Sequence, residues 1–455
     1  MKVVICGANQ IGYNIASYLA AEENDIIIID ESPEQIGYIR ETLDVQAVVG
    51  LGSRPDLLEE LAGDNTDILI AVMPSDEHNI IACQIGQSLL NIPVKIAHIR
   101  NQSYLNSRWL NKNLSSFPID YIISPERQVA QVILSNLKIP GVMEVLHLKN
   151  SESLVLFLHF DERSPMNNIP LRQIGEQFSG LPFRVLGIFR NDQFTIPQGQ
   201  DYLQAGDDAY ILVERDKLSR FLAVFGIKSE PLNKIVIAGG GNVGLYLAQG
   251  ILSDMPDVSL KIIENNRERA RFLAENLENV VVLHGNAIDL NVMKEAKVSQ
   301  SDMLVSVTND DAANILSSLL GKNLGVPRVT TLVSNMMYPK FLPSLGVDSI
   351  LNPGFITIST ILNHIRRGSI RTAHVLQGQV GEIFEANVPS DSKLIGEKFA
   401  LLNVNEKSMV GGIVRDGTFY IPQSEEFIEE GDHLILLVNN TYIGRVEKML
   451  RSRNE

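Results

Sequence analysis

Short apolar runs recur at regular intervals along the first 125 residues. Val3–Cys6, Ile26–Ile29, Ala47–Val49, Ile68–Val72, Val94–Ile99 and Tyr121–Ile123 are all strand-sized. Between them lie stretches of about a dozen residues with helical periodicity. Near-continuous apolar strands that alternate with helices imply a parallel sheet covered on both faces. The pattern therefore predicts an α/β, doubly wound domain. Over residues 140–226 and 370–453 the strands are shorter, and turn signals such as Asp416-Gly417 punctuate them. Each of these segments is expected to form a small, compact α+β module.

The whole pattern occurs twice. Lys2-Val3-Val4-Ile5-Cys6-Gly7 is answered by Lys234-Ile235-Val236-Ile237-Ala238-Gly239, Asp30 by Glu264, and Asp76 through Asn79 by Asp311 through Asn314. The offset drifts only from 232 to 235 residues, which chance does not readily give. The smaller segments repeat as well. Phe189–Pro197 matches Val414–Pro422, and Gly206-Asp207 matches Gly431-Asp432, both at an offset of 225. The organisation read from this is a large domain at 1–125, a small one at 140–226, a second large domain at 232–353 and a second small one at 370–453. Gly226–Asn233, which carries Pro231, is the expected link between the halves.

A chain of 455 residues is too long for one core, and 45% apolar with 20% charged residues is a globular composition. No apolar run approaches the roughly 18 residues of a membrane span, and a strand begins at residue 2, leaving no room for a signal peptide. A cytoplasmic location without direct membrane insertion is expected. Two cysteines, Cys6 and Cys83, are too few for a disulfide framework. A net charge of −15 argues against nucleic acid and anionic lipid as main partners.

The candidate chemistry lies in two glycine loops. Gly239-Gly240-Gly241-Asn242-Val243-Gly244 follows a strand, opens a helix and fits G-x-G-x-x-G in full, with Glu264 20 residues beyond Gly244. The first glycine makes the tight turn, the second admits a pyrophosphate to the backbone, and the third lets helix and strand approach. The helix N-terminus then offers N–H groups and partial positive charge to an anion. Glu264 is placed for a ribose diol and would repel a 2′-phosphate, which favours NAD-type or adenine nucleotides over NADP. These features make the large domains Rossmann-like. The first loop, Gly7-Ala8-Asn9-Gln10-Ile11-Gly12, has Asn9 at the second glycine position, with Asp30 still placed for a ribose. Asn tolerates unusual backbone angles, but its side chain takes space a pyrophosphate needs. A weaker first site, or one for a smaller nucleotide, is expected; the plainer alternative is an empty structural copy.

Other candidates are less specific. His98 and Arg100 are expected on one face of the fifth strand at its C-terminal end, where such folds bind ligands. Arg100 could neutralise phosphate or form a surface ion pair; its counterpart is Ser334. Thr308-Asn309 would line an adenosine pocket in the second copy, where Met73-Pro74 stands in the first. Asn286 would touch the base, or simply cap the next helix. There is no Tyr-x-x-x-Lys spacing, no H-E-x-x-H, no G-x-S-x-G and no P-loop. Neither an acid–base pair for hydride transfer nor a metal centre is expected. A nicotinamide-dependent oxidoreductase would need a catalytic residue from the small domains; no candidate stands out, so the reading is a non-enzymatic sensor.

With its motifs in this order and doubled, the chain resembles the TrkA family, the cytoplasmic regulatory subunits of bacterial Trk potassium-uptake systems, built from tandem units that regulate potassium conductance. The residues that carry the resemblance are Gly7–Gly12 with Asp30, Ile96–Arg100, Asp120–Glu126 and Gly239–Gly244 with Glu264, together with the two Gly-Asp elements. The resemblance implies a peripheral homotetrameric ring beneath an integral membrane potassium-translocating subunit. It also implies binding of NAD(H) and of ATP or ADP at Gly7 to Ile11 with Asp30, and at Gly239 to Val243 with Glu264. Where the family usually has glycine, Thr-Asn and arginine, this chain has Asn9, Met73-Pro74 and His98, which sets its first half apart. Regulation of another cation transporter is the neighbouring reading.

Overall fold

The computed structural model describes the chain except residues 23, 64, 106–117, 140, 149–151, 192, 228–229, 336–344, 367–369 and 451–455. The first large domain runs β1 (Lys2–Cys6), α1 (Gln10–Ala20), β2 (Asp25–Asp30), α2 (Pro33–Thr42), β3 (Gln46–Val49), α3 (Pro55–Ala62), β4 (Ile68–Ala71), α4 (Asp76–Ser88), β5 (Val94–His98) and β6 (Tyr121–Ile123). Its six strands are parallel in the order β3-β2-β1-β4-β5-β6. Val3, Val4, Ile5 and Cys6 are completely buried, as a strand covered on both faces requires. Two of its helices start at serine caps. Ser32 accepts the Gln35 N–H ahead of Pro33, and Ser75 accepts the His78 N–H. The order reverses between β1 and β4, and in doubly wound sheets such a switch point is where ligands bind, at the strand C-termini.

After α5 (Pro125–Leu137), the first small domain comprises β7 (Glu144–His147), β8 (Ser153–His159), α6 (Leu171–Gln177), β9 (Phe183–Arg190), β10 (Gln193–Thr195), β11 (Asp208–Glu214) and α7 (Leu218–Val224). The second large domain repeats the first as β12 (Lys234–Ala238), α8 (Asn242–Asp254), β13 (Ser259–Glu264), α9 (Arg267–Asn276), β14 (Val280–His284), α10 (Leu290–Glu295), β15 (Met303–Ser306), α11 (Asp311–Asn323), β16 (Arg328–Leu332) and β17 (Ser349–Leu351). Its order, β14-β13-β12-β15-β16-β17, is the same. Then come α12 (Pro353–Ile365) and the second small domain, β18 (Ile370–Val375), β19 (Gly381–Asn387), β20 (Ser408–Arg415), β21 (Thr418–Tyr420), β22 (His433–Asn439) and α13 (Ile443–Leu450). The two small sheets are antiparallel, β10-β9-β11-β8-β7 and β18-β19-β22-β20-β21.

The doubled small-domain motifs have a clear physical role. Asp416 and Gly417, with φ of 51° and 75°, form the two-residue turn between Arg415 and Thr418, the backbone an Asp-Gly hairpin supplies. Arg415 then grips buried Asp432 through Nε and Nη2 at 2.6 and 2.7 Å, and Arg190 grips buried Asp207 at 2.8 and 2.7 Å. Each arginine also donates to a loop carbonyl, of Phe427 or Tyr202. The aspartate in each Gly-Asp pair is thus the buried anchor of a hairpin. The small domains share one core: Leu146, Phe157, Leu186, Tyr210 and Leu212 of the first pack with Leu376, Ile383, Ile435 and Leu437 of the second.

The chain folds as two compact units whose membership does not follow the order of the repeats. Met1–Pro125 joins Gly354–Arg367, and Glu126–Pro353 joins Gly368–Glu455. In the first unit, Arg366 donates to Glu22 at 2.6 and 3.0 Å and the His364 ring stacks on Tyr121 at 3.9 Å. In the second, α5 lies along α8: Leu134 covers Gly250, Arg127 sits over the Tyr246 ring at 4.9 Å, and Lys138 pairs with Asp254 at 2.7 Å. The helix that follows each large sheet is therefore built into the unit of the other copy.

Candidate nucleotide site

The loop between β12 and α8 needs its glycines for separate reasons. Gly239 has φ +113°, and a Cβ there would come within 2.8 Å of the Thr308 nitrogen. At Gly244 a Cβ would sit 2.0 Å from the Gly239 carbonyl oxygen, so only glycine lets α8 abut the strand. Gly241 is the N-cap of α8; no side chain caps the helix there, and a Cβ would meet nothing within 4 Å. The space in front of these helix amides is open, as a phosphate would need.

The acid is tied to the same loop. Glu264, at the end of β13, accepts the Gly240 N–H at 2.7 Å on one oxygen and the Asn266 N–H at 2.7 Å on the other. A carboxylate has about four lone-pair sites, which leaves capacity for a ribose diol. Arg269, in the first turn of α9, donates to the Gly240 carbonyl at 2.7 Å and to the Asn242 side chain at 3.3 Å, with its guanidinium over Phe272. Val243 is partly covered and Asn242 exposed.

The first loop has the same backbone and a different interior. Gly7 has φ +115°, Asp30 accepts the Ala8 and Ser32 N–H groups at 2.7 and 2.8 Å, and a Cβ at Gly12 would sit 1.9 Å from the Gly7 oxygen. Asn9 caps α1. Its Oδ1 accepts the Ile11 and Gly12 N–H groups at 3.0 and 3.1 Å, and its Nδ2 donates to the Val72 carbonyl at 2.6 Å. Gln10 is turned to Asn14.

Along the rest of each edge the copies also differ. Thr308 donates its hydroxyl proton to Asn314 Oδ1 at 2.7 Å, and Asn309 is exposed. In the first copy Met73 is buried within the core, Pro74 is exposed, and Arg100 donates to the Pro74 carbonyl at 3.1 Å. The sequence placed His98 and Arg100 together on a ligand-facing strand, but β5 ends at His98, where pairing with β6 stops at Ile123. His98 is 1% exposed, whereas Arg100 lies past the strand. Asn286 accepts the Ile288 N–H in its own turn, and Asp289 rather than Asn286 caps α10.

Sequence reasoning missed the residues that hold these edges in shape. Asn79 accepts the Met73 N–H and donates to the Met73 and His98 carbonyls, tying the end of β4 to that of β5. Asn314 does the same for Thr308 and Leu332. Asp76 accepts the Arg100 and Asn101 N–H groups, and Asp311 those of Ser334 and Asn335. The signal was present as the doubled Asp-x-x-Asn spacing. Arg269 has no such repeat, since Gln35 follows Asp30 at the equivalent distance.

The TrkA-N domain model matches residues 3–125 and again 235–353, and the TrkA-C domain model matches 383–451. The Trk system potassium uptake protein TrkA of Azorhizobium caulinodans is 39% identical over 452 residues, covering 99% of both chains. That of Haemophilus influenzae is 30% identical over 456 residues, again covering 99% of both. Among solved structures, the GsuK RCK domain shares the fold at a TM-score of 0.62 and 17% identity, covering 99% of this chain and 94% of that one. The GsuK channel solved with NAD matches at 0.62 and 17%, over 99% of this chain and 78% of that one. A Rossmann-like sheet built twice, with a glycine loop and an acid at each switch point and full-length identity to these relatives, places the chain in the TrkA family of Trk system potassium uptake proteins.

Proposed function

We propose that the chain is a non-enzymatic, nucleotide-sensing regulatory subunit of a potassium-uptake system. It binds NAD(H) or adenine nucleotides (ATP, ADP) at the Gly239–Gly244 loop and acts on an integral membrane potassium-translocating partner. The observation that carries this is the uncapped N-terminus of α8 facing open space beside Glu264. The residues fit a dinucleotide: Gly241 leaves room for phosphate oxygens, the α8 amides offer donors, and Glu264 keeps acceptor capacity for the ribose. The names of the relatives support the potassium role. Among the described residues no helix is long and apolar enough to cross a membrane. In this reading the chain is a peripheral, cytoplasmic subunit that works as a homotetrameric ring held by its membrane partner.

Such a ligand acts only through different affinities for two shapes of the assembly. Each tenfold difference is worth about 1.4 kcal/mol per site, and sites in a ring add. The test is calorimetry with NADH and ADP on the purified full chain, paired with potassium flux in vesicles containing the membrane subunit. Glu264→Gln should weaken binding roughly tenfold to a hundredfold and blunt the nucleotide response of flux while the circular dichroism stays unchanged. Normal regulation in that variant rejects the proposal. Turnover of NADH by the purified protein would favour an oxidoreductase instead.

A further inference from the structure

The two glycine loops form an internal comparison. At the N-cap of α1, Asn9 has φ −65° and ψ 179°; at the N-cap of α8, Gly241 has φ −61° and ψ −164°. The backbone is the same, so the side chain alone distinguishes them. In the second loop nothing lies within 4 Å of the position a Cβ would take. In the first, the Asn9 carboxamide makes three hydrogen bonds there, accepting from Ile11 and Gly12 and donating to the Val72 carbonyl. Its oxygen takes the two amides that a phosphate oxygen would take at a glycine loop, and its nitrogen anchors it to the end of β4. The asparagine thus fills the phosphate position with a neutral group of the protein's own.

Two further departures lie on the same edge. Met73 buries its side chain in the core where Thr308 presents a hydroxyl in the second copy. Arg100 reaches from beyond β5 to the Pro74 carbonyl, where the second copy has Ser334. On the edge of the first domain, Asn9 and Arg100 are thus tied to the protein's own carbonyls and Met73 withdraws into the core, while the acid, Asp30, keeps the backbone contacts that Glu264 keeps in the second.

We infer that Asn9 is a built-in occupant of the first phosphate site, so that each chain binds one nucleotide diphosphate, at residues 239–244, and the first large domain keeps its loop shape without a ligand. The inference rests on the reading of the second loop as a nucleotide site and goes beyond it by assigning the stoichiometry and the residue that sets it. The signal then enters through one large domain per chain, and half of the Rossmann-like domains in any ring are fixed partners of the other half.

The experiment is isothermal calorimetry of the full chain with ADP and with NADH, on wild type and three variants, with thermal melting as the folding control. Wild type should bind one equivalent per chain. Asn9→Gly should bind two, because the side chain leaves and the backbone already has the glycine-loop angles. Gly241→Asn should transplant the plug and weaken the remaining site roughly a hundredfold, the loss of two charge-assisted hydrogen bonds. Should Asn9→Gly melt early, Asn9→Ala empties the same space, and the Gly241→Asn result is independent of it. Two equivalents on wild type, one on both folded Asn9 variants, or unchanged affinity in Gly241→Asn overturns the inference. No binding by wild type overturns instead the underlying reading of the second loop.

Discussion

At Gly244 the closest neighbour of an added methyl group is a backbone oxygen 2.0 Å away, and at Gly12 it is 1.9 Å. A backbone neighbour cannot swing aside as a flexible side chain does, so α8 or α1 must retreat from its strand. Gly244→Ala and Gly12→Ala are each expected to cost about 3 kcal/mol or more, read as a lowered denaturation midpoint. Gly244→Ala should also lose nucleotide binding, because the helix amides retreat with the helix. Asn9→Ala should show an opposite pairing of effects: about 1 kcal/mol of stability is lost with the cap, while space for a phosphate is gained. Equal stability of Asn9→Ala and wild type would mean that the three hydrogen bonds of the carboxamide contribute nothing. These glycines and Asn9 were legible in the sequence because they act locally: the spacing between strand and helix fixes their geometry. What the letters did not give was where the Asn9 carboxamide turns, since its anchor, Val72, lies 63 residues away.

Among the elements, the hairpins of the small domains depend on a buried ion pair. Asp432 is fully buried while Arg415 keeps a 21% exposed side chain, and the carboxylate beside it holds the guanidinium above its ordinary pKa. The two halves of the pair are therefore unequal on removal. Arg415→Ala leaves a buried carboxylate facing mainly the Glu429 N–H and should cost about 3–5 kcal/mol. Asp432→Asn leaves a more exposed cation and should cost less; urea unfolding of the two variants ranks them. The sequence showed the Gly-Asp motif twice but not its partner, because the arginine lies 17 residues earlier on a strand whose register no periodicity reveals. The strands of the first large sheet were legible to within a residue or so, since burial on both faces writes its central strands as unbroken apolar runs. Along β5 the alternation placed His98 and Arg100 together, but the strand stops at His98 once its neighbour β6 ends.

The whole molecule adds features that no local pattern carries. The small domains are joined through a common core, and at its rim the hydroxyl of Tyr210 accepts the Gln377 N–H at 3.1 Å. Glu144, half-buried on β7, has its carboxyl pushed up to about 7 by loss of solvent, only partly offset by a hydrogen bond from Gln377. Its folded-state pKa is thus above its unfolded one, near 4.5. Between those two values the folded protein holds a proton that the unfolded chain has lost. Stability should therefore fall as pH rises from about 4.5 to 7 and level off above, by up to about 3 kcal/mol from this group. Glu144→Gln should remove that slope; melting temperatures of both proteins across this range check it, and parallel curves would exclude Glu144 as the source.

The exchange of α5 and α12 between the copies was likewise invisible, since an amphipathic face states that it will be covered and not by what. Its consequence reaches back to synthesis. The body that contains the N-terminus is completed by residues from 354 onward, so the first sheet emerges from the ribosome long before the helix that seals it exists. At roughly 5–20 residues per second, its apolar flank waits on the order of ten seconds or longer for that helix. In the meantime α5 has already been made, tied through Asn136 to Met143 and Val145, but the α8 surface that Leu134 covers has still to follow. A nascent chain halted near residue 230 should be captured by chaperones, and release should come once residues 354–366 have emerged from the ribosome.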